Sequence, residues 1–297
     1  MKFGQVDDLN SVSFEWPSIT PQTKKILSNY QSKKKPIIHL GGPGWSDKNY
    51  KGTLYPNKTP QNKFLSAYAK QFNSIEVNAT RYGTPKIHVL NNWVSQVPND
   101  FKFSLKVPQV ITHRKNINDY ESRIRMEKFI EAIFHLGNHS GISFAVMANY
   151  FKSEQMEELI DFIDFWPKDT RLAIELRHPS WYEGNIVAKW QSLFAKNNII
   201  PVLTDTPGRR DVAHFALSNE HLFVRYVGDF SHPTDKKRIN CWLDRIEALI
   251  QFGIQNIWFY VHQPSDNREC IIDFFNHLTP KLNDRLSLDI PELINYK

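Results

Sequence analysis

Glu76, Lys106, Glu175, Arg177, Asp205 and Arg225 carry the chemistry this sequence has to offer. Glu76 and Asn78 close one short apolar run, Ser104 and Lys106 another, and Glu175 and Arg177 a third, with His178 just beyond. Asp205 follows a further run, Arg225 lies inside the next, and His262 with Gln263 follows the last. Residues two apart in a strand share a face, so these pairs can enter one lumen together. Three carboxylates and three cations suit acid–base work on a small anionic or polyhydroxylated ligand. In that scheme Arg177, Arg225 and His178 hold the anion while Glu76, Glu175 or Asp205 exchanges a proton. Lys106 is a proton donor, a Schiff-base nucleophile if its pKa is depressed, or an anion anchor. The same six charges also cancel one another, so a structural ion network stays open beside the ligand pocket.

Other chemistries find less support. Glu76, Glu175, Asp205, His178 and His262 could surround a divalent ion, but Lys106, Arg177 and Arg225 are interleaved with them and would repel it. No cofactor is expected and no metal site is assigned. Gly41, Gly42, Pro43, Gly44 and Trp45 resemble a phosphate cradle without its Gly-x-Gly-x-x-Gly spacing; a sharp turn presenting Trp45 as an aromatic lid fits better. Neither a Gly-x-Ser-x-Gly elbow nor a His-Glu-x-x-His helix is present.

The elements that must position these residues are repeated. Apolar runs at 37–40, 74–78, 101–107, 142–147, 171–176, 199–204, 222–227 and 256–261 alternate with amphipathic segments at 62–72, 121–136, 153–165 and 239–252. That alternation predicts β-α units with a parallel sheet, and only the link from the sixth run to the seventh is too short for a full helix. An open doubly wound sheet gathers ligands at one switch point, whereas a barrel brings every strand end to one mouth. Nearly every run here ends in a polar or charged residue, which predicts a single α/β domain with an eight-stranded parallel (β/α) barrel of TIM type. The expected boundaries are an N-terminal extension over 1–36, basic toward its end, a barrel over 37–280 and a C-terminal tail over 281–297.

Composition bounds the rest. The chain has 297 residues, 41% hydrophobic and 13% aromatic, enough for one large core. Cys241 and Cys270 are its only cysteines and sit in no metal spacing, and no run nears the ~18 apolar residues of a membrane span, so a cytoplasmic protein without a membrane partner is expected. Five of the six surplus positive charges are Lys24, Lys25, Lys33, Lys34 and Lys35, in a stretch without acids, leaving the rest of the chain nearly neutral. This arm, with Trp45, Tyr50 and Tyr55 available for stacking, supports a rival reading as a nucleic-acid-binding or nucleic-acid-processing protein. A third reading is a non-catalytic sensor or scaffold with Phe14 and Trp16 as docking residues. Oligomeric state is not legible.

At the same residues the sequence resembles the DUF72 or YecE-like family. The matching segments are Gly41 to Trp45 with Tyr50, Gly52, Tyr55 and Pro56; Phe72, Asn73 and Glu76 to Thr80 with Tyr82 and Pro85; Phe101 to Pro108 with Thr112 and His113; Glu175 to Trp181; Asp205; and Val224 to Gly228. The resemblance implies a TIM-barrel-like fold with no settled reaction or cofactor. It adds Tyr82 and His113 to Trp45, Asn78, Arg177, His178, Arg225 and His262 as expected ligand contacts, around Glu76, Lys106, Glu175 and Asp205 as expected catalytic residues. Three mouth segments depart from the family pattern: Gly41 to Trp45 in place of Gly-Thr-Ser-Gly-Trp, Met147 to Tyr150 in place of Gln-Leu-Pro-Pro, and His262 with Gln263 in place of Asn-Asn. A ligand preference unlike that of relatives, or a lost ancestral activity, is expected from them. If an enzyme, it is expected to be a hydrolase or lyase.

Overall fold

The computed structural model describes residue 4, residues 6–264 and residues 267–297. The eight apolar runs become strands β1 Ile37–Gly41, β2 Ser74–Val77, β3 Lys102–Leu105, β4 Ser143–Val146, β5 Leu172–Glu175, β6 Ile200–Asp205, β7 His221–Val227 and β8 Asn256–His262. Around them lie helices α1 Pro21–Leu27, α2 Phe64–Tyr68, α3 Ile87–Val94, α4 Gln109–Thr112, α5 Tyr120–Leu136, α6 Met156–Phe165, α7 Ile186–Asn197, α8 Pro233–Phe252 and α9 Cys270–Leu286. The link from β6 to β7 holds only the 3-10 turn Pro207–Val212, as its length predicts.

Local chemistry moves two boundaries. The helix expected over 62–72 contracts to α2 because its end tightens into three-residue turns, Lys70 N–H donating to Ala67 and Gln71 N–H to Tyr68. α8 starts at Pro233, well before 239, because the His232 ring accepts from Thr234 N–H and Pro233 occupies the first helical position.

All paired strands run parallel. One ladder follows the order β1-β8-β7-β6-β5-β4 and a second joins β2 to β3. At the β1–β2 seam the Asn73 side chain takes the place of a backbone partner: Leu40 N–H donates to its Oδ1 at 2.9 Å and its Nδ2 donates to Ile38 O at 2.8 Å. Glu76 N–H then reaches Gly42 O at 3.1 Å. A Cβ on Gly41 would fall 2.2 Å from Ser74 O, so this approach requires glycine. At the β3–β4 seam Gly141 N–H donates to Phe103 O at 2.9 Å and Val107 N–H to Phe144 O at 2.8 Å. The arrangement is TIM-barrel-like, with the regular ladder interrupted at these two seams.

The period of two along each strand sorts the buried side chains into two clusters. Ile142, Phe144, Val146, Ala173, Ile200, Val202, Phe223, Trp258 and Tyr260 pack among themselves inside the strands. The alternate residues, such as Leu172, Ile174, Leu203, Val224, Ile257 and Phe259, join the larger cluster shared with the helices. This division is what a packed lumen surrounded by helices requires.

Residues 14 and 16 of the leader and residues 290–294 of the tail lie against this body. Trp16 meets Phe215 and Trp242 at ring-centroid distances of 4.8 and 5.1 Å, under the Arg210 guanidinium at 4.6 Å, while Arg238 covers Phe14 at 4.7 Å. The two aromatics expected as docking residues are thus packed against the chain's own barrel. The boundary expected at 280 falls inside α9, and beyond it three side-chain amides each bind one residue of the tail through both backbone groups. Gln71 holds Ile294, Asn276 holds Leu293 and Asn283 holds Ile290.

Candidate functional site

Parity decides which charged residues meet. Glu76, Ser104, Glu175, Arg225 and His262 share the inward register of Phe144, Ala173, Phe223 and Tyr260. Arg225 lies across the top of the lumen. Its Nε and Nη2 donate to Glu76 Oε2 and Oε1, both at 2.9 Å, and its Nη1 donates to Glu175 Oε2 at 2.8 Å. Arg177 Nε closes on Glu175 Oε1 at 2.6 Å. His262 Nε2 stands 3.2 Å from Glu76 Oε2, and Asn78 Nδ2 donates to Glu76 Oε1 at 2.7 Å. Phe144 floors the layer, its ring 5.5 Å from the Arg225 guanidinium and 5.8 Å from the Lys106 ammonium.

Burial alone would raise the pKa of both glutamates, but their partners outweigh it. Arg225, then His262, hold Glu76 well below the usual carboxylate range, and Arg177 with Arg225 hold Glu175 down at about 2. Both are fixed counter-ions at neutral pH. Lys106 differs. Burial, reinforced by Arg225 and opposed by Glu76 and Glu175, lowers its pKa to about 8, and among the described residues its ammonium makes one hydrogen bond, a long one to Asn78 Oδ1 at 3.4 Å. A lysine so placed can gain and lose a proton close to neutrality.

A cavity of about 150 Å³ opens beside it, lined by Arg81, Lys106, Gln109, Thr112, His113, Val146 and Arg177. Thr80 sets the position of Arg81, its one buried hydroxyl proton shared between Lys106 O at 2.7 Å and Val77 O at 2.9 Å, which ties the turn after β2 to the end of β3. Thr112 Oγ1 lies 2.9 Å from His113 Nδ1, leaving Nε2 for a ligand. Burial first, then Arg177, Lys106 and Arg81, lowers the His113 pKa and so favours its neutral ring. Among the described residues no carboxylate lines this cavity. A larger concavity of about 770 Å³ at the opposite strand ends sets Asp100 and Asp169 beside Lys102, Lys168 and Arg171. It lacks the single sign of charge found at the mouth.

Three expectations need correction. Asp205 points outward, because it alternates with the lumen residues Val202 and Thr204; there it binds Arg210 at 2.6 Å, Arg238 at 3.1 Å and Trp242 Nε1 at 2.8 Å. His178 caps the 3-10 turn Pro179–Tyr182 by accepting from Ser180 N–H at 3.2 Å, and is absent from the cavity lining where it was expected. Trp45 packs edge-on against Trp93 at 5.2 Å and is absent from the cavity lining, so it is no lid there. Tyr82 is exposed, outside the cavity lining, with the Arg81 guanidinium 4.7 Å over its ring. The remaining expected residues, Glu76, Asn78, Lys106, His113, Arg177, Arg225 and His262, come together. Arg81, Gln109 and Thr112 were not expected. Arg81 sits between Thr80 and Tyr82 in a matched segment, which was its only signal.

Among the described residues, no group of three or more His, Cys, Asp or Glu side chains is placed to hold a metal ion. No helix among them is long and apolar enough to cross a membrane.

Residues 39–283 match the family model described as Protein of unknown function DUF72. The chain belongs to the DUF72 family. Among DUF72 relatives, it is 22% identical over 247 residues to UPF0759 protein YecE of Escherichia coli (strain K12), covering 77% of this chain and 87% of that one. UPF0759 protein YunF of Bacillus subtilis (strain 168) is 25% identical over 181 residues, 58% of this chain and 61% of that one. Two solved DUF72 structures superpose well. The one from Enterococcus faecalis V583 gives a TM-score of 0.65 at 20% identity, covering 86% of this chain and 99% of that chain. The one from Thermotoga maritima MSB8 gives 0.64 at 19% identity, covering 83% and 99%. At such identity the structural likeness shows the DUF72 fold alone.

Proposed function

We propose that this DUF72 chain is an enzyme that binds a small anion at the mouth of its barrel and exchanges a proton with it through Lys106. The observation that carries the reading is the cavity itself: Arg81, Lys106 and Arg177 converge on it with His113, and no described carboxylate faces it. A pocket of one sign with low-dielectric walls concentrates anions and strengthens each contact. Glu76 and Glu175 act as the scaffold that holds Arg225 and Arg177 in place, not as proton carriers, because their guanidinium partners fix them in the ionised form. Lys106 can leave its weak contact with Asn78 for a ligand oxygen, and burial tunes it toward working pH.

The lysine arm is removed from this mouth. Lys33, Lys34 and Lys35 lead directly into Ile37, the start of β1, at the opposite strand ends. This favours a small ligand over a polynucleotide.

The test is proton exchange. The full chain, incubated in deuterium oxide with panels of small carboxylates and phosphate esters, should incorporate deuterium into one class of compound by NMR, and Lys106→Met should abolish it. Exchange that persists in Lys106→Met, or small-anion binding indifferent to Lys106→Met and Arg177→Gln, refutes the reading.

A further inference from the structure

Two carboxylates and four cations share the upper lumen and its mouth: Glu76 and Glu175 against Arg81, Lys106, Arg177 and Arg225. The carboxylates contact Arg225 and Arg177 directly. A surplus of two positive charges remains, with Lys106 and Arg81 both on the cavity wall and neither in an ion pair among the described residues. We propose that the cavity is built for a dianionic phosphoryl group, free or on a small ester, and not for a carboxylate. The assignment rests on the anion reading above and narrows it.

Geometry supports the phosphoryl group as firmly as charge does. A guanidinium fork matches the two oxygens of a planar carboxylate, which is how Arg225 takes Glu76 in this same molecule, with Asn78 and His262 completing the set. The cavity cations instead come from three directions: Arg81 from the turn after β2, Lys106 from the end of β3 and Arg177 from the end of β5. Three separated donors suit three terminal oxygens. The His113 ring adds a nitrogen that donates to an ionised oxygen or accepts from a protonated one according to its tautomer. About 150 Å³ equals roughly five water volumes, room for a phosphoryl group and a short remainder.

Calorimetric titration of the full chain at pH 7 with inorganic phosphate, sulfate, glycerol phosphate and acetate separates the alternatives. Phosphate and sulfate should bind at least ten-fold more tightly than acetate. Arg81→Gln, at an exposed position that cannot endanger the fold, and Lys106→Met should each weaken phosphate ten-fold or more. Tighter binding of glycerol phosphate than of phosphate assigns a small ester, and equal binding assigns the free ion; both uphold the phosphoryl group. Acetate binding as tightly as phosphate overturns the dianion while leaving the anion pocket standing. Phosphate binding untouched by both substitutions, or no anion binding at all, overturns the two together.

Discussion

Arg225 and Glu76 meet as a two-point ion pair inside the barrel, two bonds of 2.9 Å between residues 149 positions apart. Neither has room to be solvated, since Glu76 is 0% and Arg225 6% exposed. The pair therefore costs much to break, whatever its net contribution when intact. Glu76→Gln should lower the unfolding free energy by about 3–5 kcal/mol in urea denaturation, because Arg225 would keep a buried positive charge answered by Glu175 alone. A loss below about 1 kcal/mol would mean that the lumen admits water.

Acid stability follows from the same layer. Glu76 and Glu175 have folded pKa values below their ordinary 4.5, Glu175 near 2. A depressed carboxylate contributes stability above its unfolded pKa and loses it as pH falls through its folded one. The urea midpoint should hold above pH 5 and fall between about 4.5 and 2, and Glu175→Gln should flatten that fall.

Lys106 should show the opposite sign. Its folded pKa, about 8 against an ordinary 10.5, means the folded state binds protons less readily than the unfolded one, so stability rises with pH between those values. Lys106→Met should stabilise the ligand-free protein at pH 7 by on the order of 1–3 kcal/mol, with the gain vanishing above pH 10. A destabilised variant at pH 7 would count Lys106 as structural.

Asp205 separates scaffold from site. Asp205→Asn weakens the anchor of Arg210, Arg238 and Trp242 and should cost about 3–5 kcal/mol of stability. Phosphate affinity at the mouth should change less than two-fold in the calorimeter.

Trp16→Ala removes the ring that Arg210 covers and Phe215 and Trp242 abut, and should lower stability by roughly 2 kcal/mol in thermal or urea melts. An unchanged melting curve would free the leader for another partner.

The strands were legible because each is a short apolar run between turn residues, and all eight runs overlap observed strands. The site was legible where the rule of two was followed. Glu76 with Asn78 and Glu175 with Arg177 obey it and meet; Asp205 was taken by its place after a run, although the same rule turns Thr204 inward and Asp205 out. His178 precedes Pro179 and Ser180, a capping pattern that could have been read as such. Arg81 could not be found this way, since the 3-10 turn Asn78–Tyr82 has no period linking its residues to a strand face. The short α3 also escaped notice.

The three amides that bind the tail differ in reach. Asn283 and Asn276 grasp residues 7 and 17 positions away, so those loops close early and at small entropic cost, whereas Gln71 waits for a partner 223 positions distant. The Gln71 clasp can form only after nearly the whole chain is in place, which makes residue 294 a reporter of completed assembly. Its amide proton should be the first of the three to exchange with solvent when the molecule begins to open.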